Sequence, residues 1–140
     1  MRATEQEAKI RQRIDENEFY HLTGHKISPS YGGQKLMWIK EHEPDIYART
    51  YKMLNAKDYI ILRLTGAFVT EYTDASSTCL MDLEKLEWSD RLLDAMQLNH
   101  KKMPQLCRST DVAGKVTVEA AALTGLAVGT KVVCGGGDGV

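Results

Sequence analysis

The chain ends on a short apolar run that stops at three contiguous glycines and a carboxylate, Lys131-Val132-Val133-Cys134-Gly135-Gly136-Gly137-Asp138. No other stretch restricts the fold as much. A short apolar run closed by a glycine cluster reads as a buried strand, and the periodic segments before it are mainly helical. A lone strand leaves its backbone N–H and C=O groups unpaired. The strand is therefore expected to find its partners outside this sequence. That makes the chain a piece of a larger α/β domain, mostly helical itself, with a core strand at its C-terminal end.

Glycines at the end of a strand let other groups approach the backbone closely. In open α/β sheets, ligands bind in the crevice beyond the carboxyl ends of the strands. A carboxylate placed there, Asp138, can take the proton of a substrate hydroxyl. The same residues also read as an ordinary turn, with Asp138 as a turn residue or helix cap. Two phosphate-binding patterns do not fit. No Gly-Lys-Ser/Thr follows the glycines, and they are contiguous rather than spaced as in the dinucleotide fingerprint.

Composition narrows the class of partner. Among 140 residues the formal net charge is −1, with both signs mixed along the chain. Nucleic-acid binding needs a basic surplus, so no nucleic acid is expected. No apolar run approaches the roughly 20 residues of a membrane span, and the polar start Met1-Arg2-Ala3-Thr4-Glu5 shows no signal peptide. No membrane association is expected. Cys79, Cys107 and Cys134 are odd in number and far apart, which argues against a disulfide framework or a zinc site. His21 and His25 lie four apart, but Thr23-Gly24 between them reads as a helix end rather than a metal face. No metal ligands are assigned.

Taken in order, residues 4–22 read as one helix rich in Glu, Gln, Lys and Arg, with a thin apolar stripe through Ile10 and Ile14 and a stop at Gly24. Residues 28–33 read as a loop. A helix follows over 34–42 with Leu36, Trp38 and Ile39 as its apolar side, and Pro44 blocks its clean continuation. Residues 57–64 read as a buried helix with Tyr59 and Leu62 on a broad apolar face, closed by Thr65-Gly66. Residues 68–72 alternate as an extended segment. The cluster Thr73-Asp74-Ala75-Ser76-Ser77-Thr78 carries side chains that can cap a helix or meet substrate hydroxyls. Ser89 or Asp90 opens a helix with Leu92, Leu93 and Met96 inward, residues 106–111 form a connector, and 112–116 read as a strand or hairpin arm. Thr117 caps a helix that Gly125 stops.

Several of these stretches together resemble the FGGY carbohydrate kinases, closest to the xylulokinase branch. Lys35-Leu36-Met37-Trp38-Ile39 through Pro44 resembles the family's K-L-x-W signature. Ala56 to Gly66 resembles its K-D-Y…L-T-G helix, and Thr70 to Thr78 its T-D-x-S/T-D/N-A-S-x-T segment. Arg2-Ala3, Trp88-Ser89-Asp90, Met103-Pro104 and Gly135-Gly136-Gly137-Asp138 complete the series in family order. The resemblance covers essentially all of residues 1–140 but less than a third of a family member. It departs at Gly32, where the signature has Pro, Ser or Thr, and at Gly139, where xylulokinases commonly carry Asn or Gln.

The resemblance implies a partial actin-like, ribonuclease H-like ATPase domain. Residues 1–140 would form part of the N-terminal sugar-binding domain, with the first phosphate-binding hairpin and the ATP-binding domain outside them. It implies transfer of the γ-phosphate of ATP, with Mg²⁺, to a sugar, D-xylulose first, in a cytoplasmic enzyme of xylose metabolism, with a homodimer as the expected assembly of the parent enzyme. Asp138 would be the catalytic base and would contact substrate together with Tyr72. Gly136 and Gly137 would meet the nucleotide. Kinases for glycerol, ribulose or gluconate, and a non-catalytic helical interaction module, are the competing expectations. The chain by itself is expected to be inactive.

Overall fold

The computed structural model describes residues 3–137. In chain order the helices α1 (Thr4–Arg11), α2 (Glu16–Thr23), α3 (Gly32–His42), α4 (Pro44–Arg49) and α5 (Ala56–Thr65) come first. Strand β1 (Val69–Glu71), helix α6 (Tyr72–Ser76), strands β2 (Met81–Asp82) and β3 (Glu87–Trp88), and helix α7 (Asp90–Ala95) follow. A 3-10 turn (His100–Lys102), β4 (Gln105–Cys107), β5 (Val112–Lys115), α8 (Val118–Thr124) and β6 (Lys131–Val133) complete the series. The described residues divide into two compact units, one of 3–53 and 75–103, the other of 54–74 and 104–137.

The first unit is built on apolar burial. Its opening is two helices rather than the one expected over 4–22. The Asp15 side chain accepts the amides of Asn17 (2.9 Å) and Glu18 (3.1 Å), so it caps a new helix instead of continuing the old one. Gly24 ends α2 in the left-handed conformation, φ 69°. Helix α3 starts two residues before the expected position, because Gly32 and Gly33 lie inside it. A Cβ on Gly33 would stand 2.9 Å from the Thr78 carbonyl oxygen and 2.8 Å from Met96 Sδ, so only glycine fits this close approach. The buried face of α3 is Leu36 and Met37, while Trp38 and Ile39 are half-buried. Pro44 opens α4 at its first turn, where the missing N–H is harmless.

Ser89 caps α7, and Leu92, Leu93 and Met96 all point inward, as expected. These join Ile10, Phe19 and Leu80 in one core. Fully burying side chains of this size contributes roughly 1.5–3 kcal/mol each relative to leaving them exposed.

The second unit has little apolar interior. Ile61, Val69, Val116, Ala120 and Cys134 are its buried hydrophobics among the described residues, and Ala67, Cys107, Ala113 and Val132 pack against the cluster of Ile61, Val69 and Cys134. Helix α5 turns Asp58 and Ile61 inward and leaves Tyr59 and Ile60 about half exposed, so the expected broad buried face is absent. Residues 106–111 are not a plain connector: β4 pairs in parallel with β1, Val69 opposite Gln105 and Glu71 opposite Cys107. The C-terminal strand β6 finds its partner inside the chain, in antiparallel β5, with an irregularity between Val112 and Gly114. It is not a buried strand, since Val133 is 52% exposed. Thr117 caps α8 by accepting the Ala120 amide at 3.1 Å, and Gly125 stops it at φ 78°.

Candidate functional site

The glycine run leaves β6 next to the junction of β1 and α6, and the groups that meet there are charged. Glu71, the last residue of β1, is fully buried. Its carboxylate accepts the Thr73 amide (2.8 Å), the Thr73 hydroxyl (2.7 Å), the Asp74 amide (2.8 Å) and the Ser109 hydroxyl (3.0 Å). Burial opposes its ionisation, but these four donors outweigh burial and hold the carboxyl below the usual glutamate range. A carboxylate that takes the first free amides of a helix also explains why α6 begins where it does.

Lys57, on the first turn of α5, reaches into the same cluster. Its Nζ lies 3.2 Å from Asp58, 3.2 Å from Asp74 and 3.9 Å from Glu71, and donates to the Cys134 carbonyl at 2.9 Å. Burial alone would lower the ammonium pKa, yet Asp58 and Asp74 raise it above the ordinary lysine value. Asp58 shifts the other way for a carboxyl. Burial pushes it up, against the Asn55 amide at 3.0 Å and Lys57. Asn55 also donates its side-chain amide to the Asp74 carbonyl at 3.2 Å.

The glycine run is held at three points, and at the first glycine the Gly135 amide donates to the Ser109 carbonyl at 2.9 Å. The Cys134 carbonyl, at the start of the run, sits on Lys57. The Gly137 amide donates to Thr73 Oγ1 at 2.8 Å. Because the Thr73 proton goes to Glu71, the hydroxyl oxygen presents a lone pair to Gly137. A Cβ on Gly137 would lie 3.3 Å from both Thr73 Oγ1 and Asp74 Oδ1, so the backbone passes close to those side chains. Asn55, Ala56, Lys57, Asp74, Gly136 and Gly137 line a cleft of about 440 Å³. That volume is within the range of about 300–1,000 Å³ usual for small-molecule sites.

Of the residues singled out in the sequence, Gly136 and Gly137 line this cleft. Tyr72 opens α6 half-buried and is not among its lining residues. Asp138 lies outside the described residues. Lys57, Asp58, Glu71 and Ser109 were not singled out. The signal available for three of them was the crowding of ionisable and hydroxyl residues at a helix start and a strand end, in Lys57-Asp58 and Glu71-Tyr72-Thr73-Asp74. Ser109 had no such signal.

Over residues 1–140 the chain matches the FGGY family of carbohydrate kinases, N-terminal domain. It is 38% identical to the xylulose kinase of Escherichia coli K12 over 117 residues, which are 84% of this chain and 24% of that protein. Among solved structures it is similar to the xylulose kinase from Rhodospirillum rubrum, with a TM-score of 0.91 and 31% identity, covering 98% of this chain and 28% of that one. The gluconate kinase from Lactobacillus acidophilus gives a TM-score of 0.86 and 29% identity over the same shares, 98% and 28%. The chain thus spans about a quarter of the length of these proteins.

Proposed function

Since this chain belongs to the FGGY family of carbohydrate kinases and has their actin-like ATPase fold, we propose that the protein containing it moves the γ-phosphate of ATP to a hydroxyl of D-xylulose. The likeness to xylulose kinases carries this reading. Residues 1–140 act as part of the sugar-binding domain, and Asp138 is the general base. A sugar hydroxyl is a weak nucleophile, and a carboxylate within hydrogen-bond reach takes its proton as the bond to phosphorus forms.

The cleft supports a neutral sugar. Asn55 brings a donor to its wall, and Asp74 brings an acceptor. Around Lys57 stand three carboxyls, Asp58, Glu71 and Asp74, so the negative charges outnumber the ammonium. A carboxylated substrate such as gluconate meets repulsion there, whereas ribulose and glycerol do not. The same balance disfavours nucleotide phosphates, and the Gly137 amide is already engaged by Thr73. ATP would supply the phosphoryl group and Mg²⁺ would screen its charge, and the cleft beside Lys57 fits the sugar better than the nucleotide. These residues hold the sugar side of the reaction.

The test is ATP-dependent phosphorylation by the full-length protein, across D-xylulose, ribulose, glycerol and gluconate, with wild type and Asp138→Asn. Turnover of xylulose that the substitution abolishes, with ATP binding retained, is the expected result. Full activity in Asp138→Asn removes the base assignment. Preference for gluconate removes the charge argument. Turnover of no sugar removes the kinase reading. The isolated chain is expected to be inactive, and robust xylulose phosphorylation by it would overturn that.

A further inference from the structure

We propose that Thr73, oriented by Glu71, is a positioning residue that fixes the peptide leading into Asp138; this rests on the kinase reading above. A glycine run has the widest backbone freedom of any sequence. A general base at its end is useful only if that freedom is removed, because a misplacement of about 1 Å costs about 100-fold in rate. The structure supplies three restraints and no side chain of the run itself; one is the Ser109 carbonyl, which accepts the Gly135 amide at 2.9 Å. Lys57 holds the carbonyl of Cys134 at 2.9 Å, and Thr73 Oγ1 holds the amide of Gly137 at 2.8 Å.

The Thr73 restraint is directional. A hydroxyl free to rotate could turn its proton toward Gly137 and lose the bond. Glu71 removes that choice by taking the Thr73 proton at 2.7 Å. Glu71 is itself fixed, since the amides of Thr73 and Asp74 and the Ser109 hydroxyl all point at it, and it is fully buried. The order of dependence is therefore Glu71 orients Thr73, and Thr73 anchors Gly137. Glu71 is shielded from solvent, while Thr73, Ser109 and Gly137 are half-buried.

The experiment uses the full-length protein and compares Thr73→Val, which keeps the shape and removes the oxygen, with Thr73→Ser, which keeps the oxygen. Thr73→Val should lower kcat by about 10- to 100-fold with KM for the sugar changed less than about threefold, while Thr73→Ser stays within about threefold of wild type. Glu71→Gln combined with Thr73→Val should be no worse than the more damaging single change, because both act through one bond. Amide hydrogen exchange at Gly137 gives a readout independent of catalysis: slow in wild type and Thr73→Ser, at least about tenfold faster in Thr73→Val. Unchanged exchange at Gly137 in Thr73→Val overturns the anchor. Faster exchange with an unchanged kcat overturns the positioning role while leaving the kinase reading intact. A wild type that phosphorylates no sugar removes the kinase reading and the positioning of a base with it, and the exchange data then report the anchor alone.

Discussion

Phe19 and Glu71 are equally inaccessible to solvent, both at 0%, and they show how differently the two units use their interiors. Around Phe19 the first unit gathers Ile10, Met37, Leu80, Leu92, Leu93 and Met96. Around Glu71 the second unit gathers hydroxyls, amides and Lys57. The first interior is held by area removed from water, which is non-directional. The second depends on matched donors and acceptors, where one missing partner leaves a buried charge uncompensated. Buried ionisable groups contribute less to stability than hydrophobic residues of the same volume would. Their value is in fixed geometry, and here that geometry borders the glycine run.

The sharpest way to break the contrast is to empty each interior. Phe19→Ala should cost about 3–5 kcal/mol through lost burial and a residual cavity. Urea denaturation of the full-length protein should read it without a change in the pH dependence. Glu71→Gln should cost about 2–3 kcal/mol near neutral pH, since hydrogen bonds to a charged group are lost or weakened.

The two substitutions should part company in acid. Glu71 titrates below the usual range in the folded state, so its contribution is complete above the unfolded value near 4.5 and disappears as pH falls through the folded pKa. Asp58 has the opposite sign. Its folded pKa lies above 3.8, so its contribution is present in acid and declines as pH rises through that window. Thermal melting between pH 7 and 3 should therefore show a shallower acid loss in Glu71→Gln and a steeper one in Asp58→Asn. Identical slopes in both would remove the assigned directions.

Two smaller changes sharpen the comparison from the apolar side. Gln34 is fully buried in the first unit, and neither atom of its amide has a hydrogen-bond partner among the described residues. Gln34→Met should raise stability by about 1 kcal/mol, because an unsatisfied buried amide costs more than the thioether that replaces it. Arg91 makes two bonds to Glu18 at 2.7 and 2.8 Å on the surface. Glu18→Gln should cost only about 0.2–1 kcal/mol and less still at high salt. A larger loss would mean that surface charge matters to the first unit as interior charge does to the second.

These contrasts also separate what could be read in the sequence from what could not. Helix stops at Gly24, Gly66 and Gly125, and caps at Ser89 and Thr117, are local events and were legible residue by residue. Asp15 was missed because a good helix-forming composition surrounds it, and only its side-chain bonds to Asn17 and Glu18 show the break. The partner of the last strand is not legible because β5 precedes it across α8 and no tight turn joins the two. The anchor of the glycine run could not be seen at all. Thr73 and Gly137 are 64 residues apart, and Lys57 and Cys134 are 77 apart. Spacing arguments reach one or two turns; these contacts exist only once the topology has closed.

The parallel pairing of β1 with β4 has a further consequence for how the protein is made. As the chain leaves the ribosome, Val69–Glu71 emerges well before Gln105–Cys107, its strand partner. The hairpin of β2 and β3, by contrast, closes from neighbouring residues as soon as both arms are out. During that delay the nascent chain carries an unfilled strand edge, and the charge of Glu71 upon it discourages pairing with another chain. Ser109 arrives later still, and the glycines after it. A ribosome stalled before residue 134 would hold a chain whose first unit has all its residues, while the cleft still lacks the wall that the glycines provide.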